Sequence, residues 1–340
     1  MHFLITGHTG FKGSWLSLIL LKQGHTVSGI SLDPATKSLF MDAELSYLFE
    51  HDLRIDIRDQ MKINRAILRI DPEVVIHLAA QPLVSASYQY PIQTFETNVI
   101  GTLNILNATK DLKNLKATLI VTTDKVYKNT IREGGYNEAD ALGGDDPYSA
   151  SKAAADIAAQ SWIKNFASRP VSIARAGNVI GGGDWAVDRI IPDLVRAYSS
   201  SYLPKLRYPN AIRPWQHVLD CLNGYLILVG TMINNGTQGE WNFGPDPAYK
   251  YSVGELASQF ANTWGFTDNQ EKWISDNTPA INETQYLLLD SNKSRAQLNW
   301  RDKLDFLQSV KWTADWYKSL EFANPRSITE AQIEKFLEIK

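Results

Sequence analysis

The first sixteen residues, Met1-His2-Phe3-Leu4-Ile5-Thr6-Gly7-His8-Thr9-Gly10-Phe11-Lys12-Gly13-Ser14-Trp15-Leu16, constrain the fold more than any other stretch. A short apolar run is followed by three glycines spaced three apart and then by an amphipathic run, which reads as strand, tight turn and helix. Glycines let the backbone turn sharply and approach a pyrophosphate, while the free N–H groups at a helix start attract an anion. By themselves Gly7, Gly10 and Gly13 require only a strand-to-helix turn. A second strand, Thr26 to Ser31, directly after the helix extends the pattern to the opening unit of a dinucleotide-binding fold.

The pattern continues for half the chain. Phe3–Thr6, Thr26–Ser31, Leu53–Ile57, Val74–Leu78, Thr118–Thr122 and Val171–Arg175 read as strands rich in Val, Ile and Leu, with helical patterns between them. Strands of that composition are covered on both faces, as in a parallel sheet. The expected fold is therefore α/β: a Rossmann-type doubly wound parallel sheet over 1–177, with a smaller mixed substrate domain over 178–340 and some interleaving of the chain. Past Asn178 the text loosens into Gly-, Pro- and Trp-rich connections between helices such as Pro192–Ser199, Ser252–Trp264 and Leu304–Lys318. Most of the ten tryptophans read as core, with Trp185 and Trp215 as candidate cleft walls. A last helix is expected from Ser327 toward Ile339, with Glu330 as a capping-box partner.

With a net charge of −3 and no basic block, nucleic acid and anionic membrane are poor partners. No run of about eighteen apolar residues occurs, and no basic, then apolar, leader opens the chain, so neither membrane insertion nor export is expected. The single cysteine, Cys221, has no internal partner and sits among apolar neighbours, which fits a reducing, cytoplasmic compartment. No residue is assigned to a metal.

Tyr148-Ser149-Ala150-Ser151-Lys152 places a phenol and an ammonium four residues apart, on one helix face. Many helices carry such a pair as a half-buried phenol beside a solvated amine. Next to a dinucleotide site it becomes chemistry: a protonated Lys152 beside Tyr148 favours the phenolate and makes it a base. Thr122-Thr123-Asp124-Lys125, at the end of a strand, falls at the carboxyl edge where α/β sheets bind ligands, although Asp124 and Lys125 also read as a surface ion pair. His217, in an apolar run, reads as packed and hydrogen-bonded rather than catalytic.

With both motifs in hand, the chain resembles the extended short-chain dehydrogenase/reductase family, whose TGxxGxxG turn is Thr6–Gly13 here and whose YxxxK pair is Tyr148 and Lys152. The likeness continues through His77-Leu78-Ala79-Ala80-Gln81-Pro82, Thr97-Asn98-Val99-Ile100-Gly101-Thr102 and Leu289-Asp290-Ser291-Asn292-Lys293. Asp124-Lys125, Gly144-Asp145-Asp146-Pro147, Gly177 to Ala186 and Arg213-Pro214-Trp215-Gln216-His217-Val218 are similar to the family's sugar-nucleotide 4,6-dehydratases, in the branch acting on CDP-glucose.

That resemblance implies NAD as cofactor, held by Gly7, Gly10, Phe11, Lys12, Gly13, Asp33, Asp56, Ile57, Ala79, Ala80, Gln81 and Asn98 together with Tyr148 and Lys152. Asp33, about twenty residues past Gly13, would accept the ribose hydroxyls and favour NAD over its 2′-phosphate form, unless Ser31 holds that place. The implied chemistry is oxidation at C4 of the hexose with Tyr148 as base, elimination of water across C5 and C6 with Asp124 as acid and Lys125 as base, and return of hydride to C6. Thr123 would hold the 4-hydroxyl. Asn178, Arg189 and above all Arg213 would meet the sugar nucleotide, most simply CDP-glucose. Ser85 departs from the pattern, which has an arginine there, and leaves the sugar and base open. Two long helices, 91–111 and 148–167, carry apolar residues on more than one face. The family pairs them across a two-fold axis, so a homodimer is expected, against the alternative that they pack only on their own sheet. An epimerase or oxidoreductase on the same fold, which would not need Asp124, and a non-catalytic dinucleotide sensor are the rival readings.

Overall fold

The computed structural model describes residues 1–130, 134–276 and 285–339. Seven strands build its main sheet: β1 (His2–Thr6), β2 (Thr26–Ser31), β3 (His51–Arg54), β4 (Val74–His77), β5 (Ala117–Val121), β6 (Val171–Ala176) and β7 (Gly239–Phe243). Their order is β7-β6-β5-β4-β1-β2-β3 and every pairing is parallel. Chain direction across the sheet reverses between β1 and β4. The crevice beyond the carboxyl ends of those two strands is the ligand position such sheets provide.

Alternation explains why the strands are apolar throughout. Leu4 and Val75 pack with Ile63, Ile67 and Ile105 on one side, while Phe3, Ile5 and Ile76 pack with Trp15, Leu18 and Leu222 on the other. Both faces are thus covered by helices, those at Gln60–Ile70 and Gly101–Thr109 on one side and Phe11–Lys22 and Val218–Asn235 on the other. At about 25 cal/mol per Å² of apolar surface, this double burial is the main stabilising contribution.

Four details differ from the sequence reading. β3 ends at Arg54, because its register with β2 stops at Ser31–Arg54, so Asp56 and Ile57 lie in the turn beyond the strand. The segment expected as one helix over 91–111 is interrupted by a π-helical turn at Glu96–Ile100, between Pro91–Phe95 and Gly101–Thr109. The last helix, Pro325–Glu338, is capped by Asn324, whose side chain accepts from Ser327 N at 2.8 Å; Glu330 pairs with Arg326 instead of closing a capping box. β7 was not anticipated: its Gly239-Glu240-Trp241-Asn242-Phe243 carries polar residues and extends the sheet beside β6.

Candidate active site

The glycine turn is dictated by contact. Gly7 has φ +76°, and a Cβ there would lie 2.8 Å from the Ala79 nitrogen; one on Gly13 would lie 2.2 Å from the Gly7 carbonyl oxygen. The turn delivers the chain to Gly10, the N-cap of the Phe11–Lys22 helix, with no side-chain cap and no acidic residue in the first turn. The first amides of that helix have no intrahelical partner and lie open to an anion.

A cavity of about 1820 Å³ runs along the carboxyl edge of the sheet, from the turns after β2 and β3 to the loops around Arg207 and Arg213. Every candidate catalytic, cofactor or substrate residue from the sequence lines it except Asn98. Asn98 stands behind the wall: buried in the π-helical turn, it accepts from the Gln81 amide (2.8 Å) and donates to the Ser151 hydroxyl (2.8 Å). It braces the Gln81 loop and does not face the cavity.

At the β2–β3 end, Asp33 is 90% exposed and 3.6 Å from Arg54, while the Ser31 hydroxyl is bonded to Thr9 (2.7 Å). Arg54 is held by both oxygens of Asp52, which also binds His8 at 2.7 Å. Asp56 is gripped by Arg58, whose guanidinium holds its carboxyl below the usual range. The Lys12 ammonium turns away from the glycine loop, toward the Tyr225 hydroxyl at 3.5 Å.

In the middle lie Thr123, Asp124 and Tyr148. Thr123 caps the short 3-10 turn Asp124–Val126, and its hydroxyl donates to Asp124 Oδ1 at 2.9 Å. Thr123 also favours the ionised form of the neighbouring Tyr148 phenol. Asp124 Oδ2 is buried with no partner among the described residues. Burial pushes the Asp124 carboxyl up, against the pull of Lys125, the Thr123 bond, Arg213 and Lys12. It is thereby fitted to carry a proton.

Tyr148 departs from the expectation of a lowered phenol. The Lys152 ammonium is bonded to the Val121 carbonyl (2.9 Å), and burial holds the phenol protonated with its pKa pushed up to about 12. Thr123 and the Arg189 charge oppose that shift, while Asp124 adds to it.

Toward the other end, Arg213 is buried and lines the cavity with Asn178 and Trp215. Arg189 also lines it and is paired with Asp184 at 2.9 Å. Trp185 is not a wall; it packs against Tyr317. Ser85 donates to Asp188 at 2.7 Å, joining the two sides of the cleft. His217 is packed, as its apolar context suggests: its ring lies near Trp15 and Trp312 and accepts from the Leu219 amide, and burial pushes its pKa down to about 3.

A seven-stranded parallel sheet with a glycine turn at its switch point and a Tyr–Lys pair beside it defines a dinucleotide-dependent enzyme of the short-chain dehydrogenase/reductase class. The GDP-mannose 4,6 dehydratase family model matches residues 4–313, and the chain belongs to that family. It is 40% identical to the CDP-glucose 4,6-dehydratase of Salmonella typhimurium over 326 residues, 93% of this chain and 90% of that one. Among solved structures it is similar to the dTDP-glucose 4,6-dehydratase of Bacillus anthracis in complex with NAD (TM-score 0.79, 23% identity, 94% of this chain and 97% of that one). A UDP-glucose 4-epimerase from Thermotoga maritima has a similar fold (TM-score 0.81, 20% identity, 94% and 100% covered).

Proposed function

We propose that the protein is an NAD-dependent hydro-lyase that converts CDP-glucose to CDP-4-keto-6-deoxyglucose and water. The observation that carries this reading is the meeting of Tyr148, Thr123 and Asp124 on one cavity wall, where a buried carboxyl whose pKa is pushed up accepts from Thr123 in the neighbourhood of the phenol. An epimerase needs the phenol but has no use for the acid.

The cavity residues fit a dinucleotide. Gly7 and Gly10 present backbone, the helix start is uncapped, and Asp33 offers an exposed carboxylate to a ribose while Arg54 beside it is already neutralised by Asp52. When bound there, NAD supplies a reversible hydride acceptor, oxidising the sugar at C4 and reducing it at C6 without net consumption. Lys152 and Tyr148 would hold it from the Pro147–Asn165 helix.

Thr123 then receives the sugar 4-hydroxyl and holds it near Tyr148, which would take its proton as the phenolate once added positive charge, as from NAD in its oxidised form, offsets the burial that otherwise keeps the phenol protonated. A ketone at C4 acidifies C5–H. Asp124, its carboxyl pushed up by burial, donates to the departing C6 oxygen, and Lys125 takes the C5 proton directly or through water. Arg213, with Asn178 and Arg189, meets the diphosphate. We assign 1–177 to cofactor binding and 178–340 to the sugar nucleotide, with β7 returning to the first unit. Exposed Ile92, Ile100 and Ile157, on the two helical segments, suit pairing of two copies as a homodimer. The buried free thiol of Cys221 suits a cytoplasmic setting.

The test is a panel of CDP-, UDP-, GDP- and dTDP-glucose with NAD. Keto-sugar formation should be fastest with CDP-glucose and show no net rise in NADH absorbance. A steady NADH rise, or a product that keeps its 6-hydroxyl, would refute the dehydratase reading.

A further inference from the structure

One carboxylate lies directly beneath this site and takes no part in the chemistry above. Asp156 is one helical turn beyond Lys152 and two beyond Tyr148 on the Pro147–Asn165 helix, so the three share a face. It is fully buried. Its Oδ1 accepts from Arg175 Nη2 (2.7 Å) and Gln160 Nε2 (2.9 Å), and its Oδ2 from Arg175 Nε (2.9 Å) and Thr122 Oγ1 (2.9 Å). Arg175, on β6 and equally buried, donates its remaining Nη1 to the Tyr127 hydroxyl at 2.9 Å.

A buried ion pair adds little net stability, because desolvation offsets the attraction. Geometry is what this one supplies. The Lys152 ammonium binds the carbonyl of Val121, and Asp156 binds the hydroxyl of the next residue, Thr122. Helix and strand are therefore clamped at two adjacent residues, immediately before Thr123 and Asp124.

Resting on the dehydratase reading, we propose that Asp156, locked by Arg175, is a positioning residue that fixes the Tyr148–Lys152 helix against the strand end carrying Thr123 and Asp124 and provides the Lys152 ammonium with its counter-charge. The charged groups acting on Lys152 are Asp156 from its own helix and Lys12 from the glycine-turn helix; His77, on β4, is neutral with its pKa pushed down to about 3. Burial takes the Lys152 ammonium down to about 8, Lys12 adds to that, and Asp156 opposes it.

The experiment replaces Asp156 by Asn and Arg175 by Met, singly and together. The Lys152 titration is read from ¹³Cε-lysine spectra, assigned by the resonance missing in Lys152→Met. Asp156→Asn should lower that midpoint by on the order of one pH unit and lower kcat by roughly tenfold or more, with KM little changed. Arg175→Met keeps the carboxylate and should lower kcat without lowering the midpoint. Should Asp156→Asn fail to fold, the doubly neutral variant replaces it, with the same two shifts expected. An unchanged midpoint in Asp156→Asn, or in its double replacement, overturns the proposal, whether kcat is unchanged or lowered as by a purely structural defect. Because the titration needs no substrate, it stands even if the wild-type protein makes no keto sugar, a result that would count only against the dehydratase reading.

Discussion

Replacing Asp124 by Asn removes the side chain's capacity to carry a transferable proton while keeping its shape. The Asn carbonyl can still accept from Thr123 at the position of Oδ1, and its amide replaces an oxygen that already lacks a partner among the described residues. At pH below about 3.9, where the carboxyl is protonated in both states, stability should therefore change by less than about 1 kcal/mol. For a chain of this length that is a shift of roughly 1–2 °C in Tm. Loss of the general acid should lower kcat by about 10²–10⁴, or ~3–5 kcal/mol on the barrier. A pH series adds a second signature. The Asp124 carboxyl is raised in the folded protein, so its contribution to stability is complete below the unfolded carboxyl pKa of about 3.9 and is lost as pH rises through the folded value. The Asn variant lacks that loss and should gain stability relative to wild type toward alkaline pH. Keto-sugar formation from CDP-glucose, with thermal melts at acid and alkaline pH, measures both. A variant that melts with the wild type and turns over within threefold of it would refute the assignment of Asp124 as acid.

Tyr148→Phe should lower kcat by about 10²–10⁴ while leaving NAD affinity, followed by quenching of protein fluorescence, within about threefold. His217 has a folded pKa of about 3, below its ordinary value, so its contribution is present above pH ~6.5 and is lost as pH falls; His217→Gln should remove about 1.4 kcal/mol per pH unit from the decline of stability between pH 6 and 4, measured by urea titration. If the protein is the proposed homodimer, Ile92→Asp with Ile157→Asp should convert it to a monomer in sedimentation velocity; a dimer that persists would place the interface elsewhere.

Local pattern made much of this protein legible. Strands such as Phe3–Thr6 announce themselves because both faces are buried, so every residue must be apolar. The glycine turn is legible because Gly7 and Gly13 sit where a Cβ would strike backbone, a demand that no other residue type meets. The Tyr148–Lys152 spacing follows from helix geometry alone. Three-dimensional packing decided the rest, because electrostatic environment and hydrogen-bond partnership depend on residues distant in sequence. Sequence alone suggests a lowered phenol at Tyr148, but burial raises it. Asn98 turns out to brace Gln81, through a π-helical turn that periodicity did not reveal. β7, with its polar Asn242, reads poorly as a strand because it belongs to the sheet only through its pairing with β6. The Asp156–Arg175 pair, nineteen residues apart in the chain, exists only once helix and strand are packed. The order of chemical groups along the chain was set by the sequence; their protonation and mutual support were set by which of them the fold withdraws from water.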